Sequence, residues 1–115
     1  MVEWDKNLKT RGKAGKKEKK IKRLVEKKKL RSLRYYCVAF PSNKENILDI
    51  YNMGEFLFSH YRKDTSSNIH VIGLADSRDE AAELAKEIID EVYRSSGSFD
   101  VERYFRNYGD RIADP

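Results

Sequence analysis

Apolar residues are thin over the first third of the chain and then recur in short runs separated by turn-forming residues. From Lys16 to Leu33 there is no Gly or Pro, Lys, Glu, Arg and Leu dominate, and Ile21, Leu24 and Val25 share one face at helical spacing. This predicts a basic helix with a narrow apolar stripe. Before it, residues 1–15 are mostly polar, contain Gly12 and Gly15, and have Trp4 as their only aromatic side chain, the composition of a flexible lead-in.

The body repeats one phrase. Tyr35 to Phe40 is an apolar run followed by Pro41, Ser42, Asn43, Lys44 and Glu45, and Ile69 to Ala75 is an apolar run followed by Asp76, Ser77, Arg78, Asp79 and Glu80. A serine with a glutamate three residues later is a capping box, in which the hydroxyl accepts from the third helical N–H and the glutamate reaches back to the serine N–H. Both runs therefore predict a strand that ends at a capped helix. After Ser42 the helical spacing is kept by Ile47, Ile50, Tyr51, Leu57, Phe58 and Tyr61, with Gly54 weakening the middle by roughly 1 kcal/mol relative to Ala. After Ser77 the stripe Ala81, Leu84, Ala85, Ile88, Ile89 and Val92 is cleaner. Gly97 is placed to end that helix in the left-handed conformation, and Asp100 opens a last short helix closed by Gly109.

The predicted order is basic helix, strand, helix, strand, helix, short helix. Strand, long helix, strand is a βαβ unit, so the fold class is a small single α/β domain on a parallel pair, preceded by a basic helical arm. The segments are a lead-in over 1–15, the arm over 16–34, the α/β body over 35–109 and a polar tail over 110–115. Two parallel strands leave both edges open. Either a further strand comes from a segment that reads as irregular, such as the stretch around Val2 to Trp4, or an edge pairs with a second copy as a homodimer.

Charge divides the chain in the same place. Residues 1–34 hold 15 Lys and Arg against four Asp and Glu, a net +11, while the other 81 residues hold nine cations against 15 acids, a net −6. The arm's lysines and arginines, Lys16, Lys17, Lys19, Lys20, Lys22, Arg23, Lys27, Lys28, Lys29, Arg31 and Arg34, form a density of cations that attracts a phosphate backbone by releasing its counterions. The bland reading is a solvated helix, or one that docks on the protein's own acidic body. An anionic membrane is disfavoured by the thin apolar face. Lys predominates over Arg in this half, 11 to four, which points to phosphate contacts rather than base reading, in DNA or RNA. Tyr35 and Tyr36 beside Arg31 and Arg34 have the chemistry to stack on unpaired bases, although strand residues packed on a core are the simpler reading.

Two helix starts at one sheet edge would bring Ser42, Lys44, Ser77 and Arg78 together as an anion site. Ordinary capping is the stronger reading, because neither turn is Gly-rich and Asp76, Asp79 and Glu80 repel an anion. His60 and His70 fall on different elements and the acids lack calcium-loop spacing, so no metal and no cofactor is expected. Cys37 sits mid-strand in an apolar run, and no nucleophile elbow is present, so no catalytic role is expected. Four aromatics in ten residues, Phe99, Tyr104, Phe105 and Tyr108, lie beside Arg103 and Arg106. That composition suits a protein interface, with Tyr104 or Tyr108 as the exposed member, or a helix that covers the core.

No run of 18 apolar residues and no apolar stretch after the basic N-terminus occur, so a cytoplasmic protein is expected, or a nuclear one where the lysines act as an import signal. The expectation is a non-enzymatic accessory protein that holds nucleic acid through the arm while an acidic body contacts a protein. The alternative is an interaction or inhibitor module for which the arm is incidental.

Overall fold

The computed structural model describes residues 2–29, 34–43, 45–62 and 69–113, and the side chains of 58–62 and 108–113 are outside the description. Arg31, Lys44 and the Tyr108 side chain therefore lie outside the described residues. Strands β1 (Val2–Arg11), β2 (Tyr36–Ala39), β3 (Asp49–Asn52) and β4 (Ile69–Ala75) form one sheet in the order β1-β4-β2-β3. The described helices are α1 (Glu18–Glu26), α2 (Met53–Arg62), α3 (Arg78–Ser96) and α4 (Val101–Ala113), with a 3-10 turn over Gly12–Gly15.

The segment expected as a lead-in is the edge strand β1, which pairs in parallel with β4 from Val2↔Ile69 to Arg11↔Ala75. Its alternation explains both why it pairs and why it reads as polar. Val2, Trp4 and Leu8 turn to the core beneath α1 and α2. On the other face, Asp5 meets His70, Lys9 meets Glu91, and Arg11 meets Glu83 and Glu87. One face of β1 is thus sealed by apolar contact and the other by ion pairs. The register jumps between Trp4 and Lys9, where an Asp5 carboxylate accepts from the Asn7 N–H at 2.9 Å and shapes a bulge.

Between β2 and β4 the pairing is antiparallel, which corrects the expected parallel pair. No helix starts at Ser42. The Ser42 N–H and hydroxyl both donate to the Asp49 carboxylate, at 2.8 and 2.9 Å, and the Tyr51 hydroxyl donates to it at 2.7 Å. These local bonds outbid a capping box and tie Ser42 to the first residue of β3, so β2 and β3 pair as a hairpin. Helix α2 begins instead after Asn52, whose Oδ1 accepts the Glu55 N–H at 3.2 Å. A βαβ crossover does exist, but it is β3–α2–β4, with β2 inserted between the two strands that share a direction.

Ser77 caps α3 as its spacing predicts, with its hydroxyl accepting from Glu80 N at 3.2 Å, and Gly97 ends the helix at φ 71°. Exposed Tyr93 and Phe99 stack across that turn, with centroids 4.9 Å apart. Asp100 caps α4, which runs past the predicted stop at Gly109 to Ala113.

Each face of the sheet carries its own core. Helices α3 and α4 cover one with Leu84, Ile88, Val92, Val101 and Phe105 against Val38 and Ile72. The other joins Ile21 and Val25 of α1 and Met53 and Leu57 of α2 to Cys37, Val71 and Leu74. The basic helix is therefore part of the domain, and the boundary expected near residue 34 does not divide packing units. Lys28 follows α1 at φ 56°, with Lys28 N bonded to Val25 O at 3.1 Å and Lys29 N to Leu24 O at 2.9 Å, the paired closure usually given to Gly.

Two substitutions test this packing by urea denaturation. Ile21→Ala, at a side chain with no exposure, is expected to cost about 2–5 kcal/mol, where a detached arm would lose nothing. Lys28→Gly removes a left-handed side chain and is expected to gain about 1 kcal/mol.

Candidate nucleic-acid interface

What the basic residues do depends on which are already neutralised. Lys9 and Arg11, on the sheet side of the 3-10 turn, are spent on α3: Lys9 Nζ is 3.2 Å from Glu91 Oε1, Arg11 Nη2 is 2.9 Å from Glu83 Oε2, and Arg11 Nη1 contacts Glu87. Glu91 also accepts from the Tyr104 hydroxyl at 3.1 Å, so one carboxylate ties β1, α3 and α4 together. Docking on the acidic body is real, and it is done by β1.

Helix α1 sits on the opposite sheet face, away from those acids. Lys16, Lys17, Lys19, Lys20, Arg23, Lys27, Lys28 and Lys29 are all exposed along it and its flanking turns, as are Lys13 before it and Arg34 before β2. Among the described residues Lys16, Lys17, Lys19, Lys20, Arg23, Lys27 and Lys29 enter no ion pair. Lys22 differs: its Nζ lies 3.1 Å from Glu18 Oε2 and 5.6 Å from the Trp4 ring centroid, and so it helps hold α1 on β1. The nine residues of α1 span about 13 Å, and Ile21 and Val25 fix them to the sheet. The result is a ridge of cations, one or two per turn, on a seated helix.

The acidic body is less acidic at its surface than its sequence. Glu83, Glu87 and Glu91 face β1 cations, Asp90 pairs with Arg94 at 3.1 Å, and Glu102 pairs with Arg106 at 3.0 Å. Tyr104, expected as an exposed contact residue, is buried at 9 % exposure with its hydroxyl on Glu91. Exposed aromatic surface lies instead at Tyr93 and Phe99, at 51 % and 52 % exposure, because Gly97 turns the chain outward between them.

The expected juxtaposition of Ser42 with Ser77 does not occur. Since β2 runs against β4, Ser42 follows the strand end beside the start of β4, and Ser77 follows the end of β4. Ser77 and Arg78 share their end of the sheet with Asn52 instead, because α2 and α3 both start there. At the far end His70 stacks on Phe40 at 4.4 Å, its Nε2 bonds Asp5 at 2.9 Å, and its Nδ1 lies 3.5 Å from Glu3. With both ring nitrogens facing carboxylates, the ring clamps β1 to β4. The described residues bring no three His, Cys, Asp or Glu side chains together as a metal set, and no described helix is long and apolar enough to cross a membrane.

Tyr35 and Tyr36 both pack half-buried, on opposite faces of the sheet. Cys37 is buried beneath α2, and burial pushes its thiol up from 9.0 to about 12. Burial and the bond to Asp49 push the Tyr51 phenol up from 10.0 to about 12. Comparison with known proteins gives no match: no family model, curated protein or solved structure is similar to this chain.

Those two groups set an alkaline limit on stability. The unfolded chain releases the thiol proton near pH 9.0 and the phenol proton near 10.0, while the folded chain keeps both until about 12. Ionisation therefore favours the unfolded form across that window. The urea midpoint is expected to fall as pH rises from 9 to 12, and Cys37→Ala is expected to make the fall shallower.

Proposed function

We propose that this protein is a binder without chemistry of its own, which holds nucleic acid along α1 and leaves the opposite sheet face for a protein partner. The observation that carries the reading is the row Lys16, Lys19, Lys20, Arg23 and Lys27, exposed and without ion pairs among the described residues, on and immediately beside a helix whose apolar side is buried. Cations that had docked on the body would have nothing left for a phosphate backbone. Lysine-rich contacts of this kind neutralise phosphates and read little sequence. The stacked, exposed Tyr93 and Phe99 favour a second reading, in which a protein partner on that turn is the main ligand and the arm only assists.

Deleting the basic segment would remove an edge strand and part of a core, so charge reversal in the full chain is the discriminating test. The wild type is expected to bind duplex or single-stranded nucleic acid with log K falling against log salt at a slope of about −4 or steeper. Replacing Lys16, Lys19, Lys20 and Arg23 together by Glu is expected to abolish binding at physiological salt and leave the urea midpoint nearly unchanged. Binding that survives the reversal, or that ignores salt, would refute the assignment.

A further inference from the structure

Where the chain leaves β3 it enters α2 on one face of the sheet, and where it leaves β4 it enters α3 on the other. Helices that diverge to opposite faces open a crevice outside the strand ends, the place where open α/β sheets bind ligands. Here the crevice is a cleft of about 520 Å³ lined by Tyr36, Ile50, Asn52, Glu55, Arg78 and Ala82. A volume of that order suits a small-molecule site.

Its walls and rim differ in chemistry. Tyr36 and Ile50 supply an aromatic and an aliphatic surface, and Ile50 is 38 % exposed. On the rim, Asn52 spends its Oδ1 on the α2 cap and keeps its amide N–H groups, while Glu55 and Arg78 are exposed, without ion pairs among the described residues. One acid and one cation give the cleft no net charge, so a phosphate gains little by entering. A flat, neutral ring with donors and acceptors on its edge satisfies both parts: the faces take the apolar walls and the edge takes the amide, the carboxylate and the guanidinium.

The cleft also lies at the end of the sheet where the basic segment begins and ends. Arg11 and the 3-10 turn with Lys13 leave β1 at this end, and exposed Arg34 is two residues before Tyr36. Lys29 and Arg34 are five chain steps apart, so at most about 18 Å separates them. The walls Tyr36, Ile50 and Ala82 belong to the α3 face, so a strand whose phosphates follow α1 reaches the cleft by passing over this end of the sheet.

We infer that this cleft holds one unpaired nucleobase of the strand bound along α1, which makes single-stranded nucleic acid, or a duplex with an overhang, the substrate class. The inference rests on the nucleic-acid reading of α1. Tyr36 packs on the core, so Tyr36→Ala risks unfolding; Arg78→Ala with Ile50→Ser, both at exposed residues, carries the test. The full chain and both variants, this one and the α1 charge reversal, are titrated with a single-stranded 12-mer carrying 2-aminopurine and with a blunt 12-bp duplex.

The expected result is quenching of 2-aminopurine on the wild type, an affinity for the single strand about tenfold above that for the duplex, and loss of that preference in the cleft variant with duplex affinity unchanged. Equal single-strand and duplex affinities, or a preference that survives in the cleft variant, would overturn the inference while binding through α1 stands. Loss of neither ligand on α1 charge reversal, or no binding by the wild type, would overturn the reading of α1 and this inference with it.

Discussion

The pairing of β1 with β4 is the contact on which the rest of this molecule depends. Without it the sheet has three strands, the ring of His70 has no carboxylate to hold, and the acids of α3 stand unopposed. With it, Val2, Trp4 and Leu8 close the floor under α1, while Lys9 and Arg11 balance Glu83, Glu87 and Glu91 on the other side. Partly exposed ion pairs of this sort contribute little energy singly. Their effect is allocation: they decide which cations are consumed by the fold and which are not.

That allocation links structure to the proposed function. Two basic segments adjacent in sequence end on opposite faces of one sheet. The first, on β1, is neutralised by α3. The second, on α1, faces solvent, because Ile21 and Val25 hold the helix on an apolar core. A net charge of +5 for the chain conceals this separation.

Much of the fold was legible where one element had one strong signal. The stripe from Ala81 to Val92, the Ser77 cap and the Gly97 stop were all readable, since each depends on neighbours within a few residues. The burial of Cys37 was readable from the apolar run around it. The hairpin was not, because Ile47, Ile50 and Tyr51 suit a helical face as well as a strand, and the Asp49 carboxylate that captures Ser42 acts over seven residues. Strand β1 left a partial trace in the alternation of Val2 and Trp4, broken by the bulge before Leu8 and masked by polar residues that are paired in the fold. Of the candidate site, the cations of α1 were visible from composition. The cleft was not, since its walls come from β2, β3, α2 and α3 and exist only once β3 is recognised.

Strand β1 and helix α1 are built into the sheet and its core, and they present their cations from a fixed position. Native-state hydrogen exchange of the full-length protein, followed at the amides of β1 and α1 against those of β4, tests this most directly. Ile21 and the hydrogen-bonded amides of β1 near Thr10 are expected to exchange only with global unfolding, at the free energy measured for β4. Exchange of those amides at the rate of an unstructured chain, with β4 still protected, would contradict that placement.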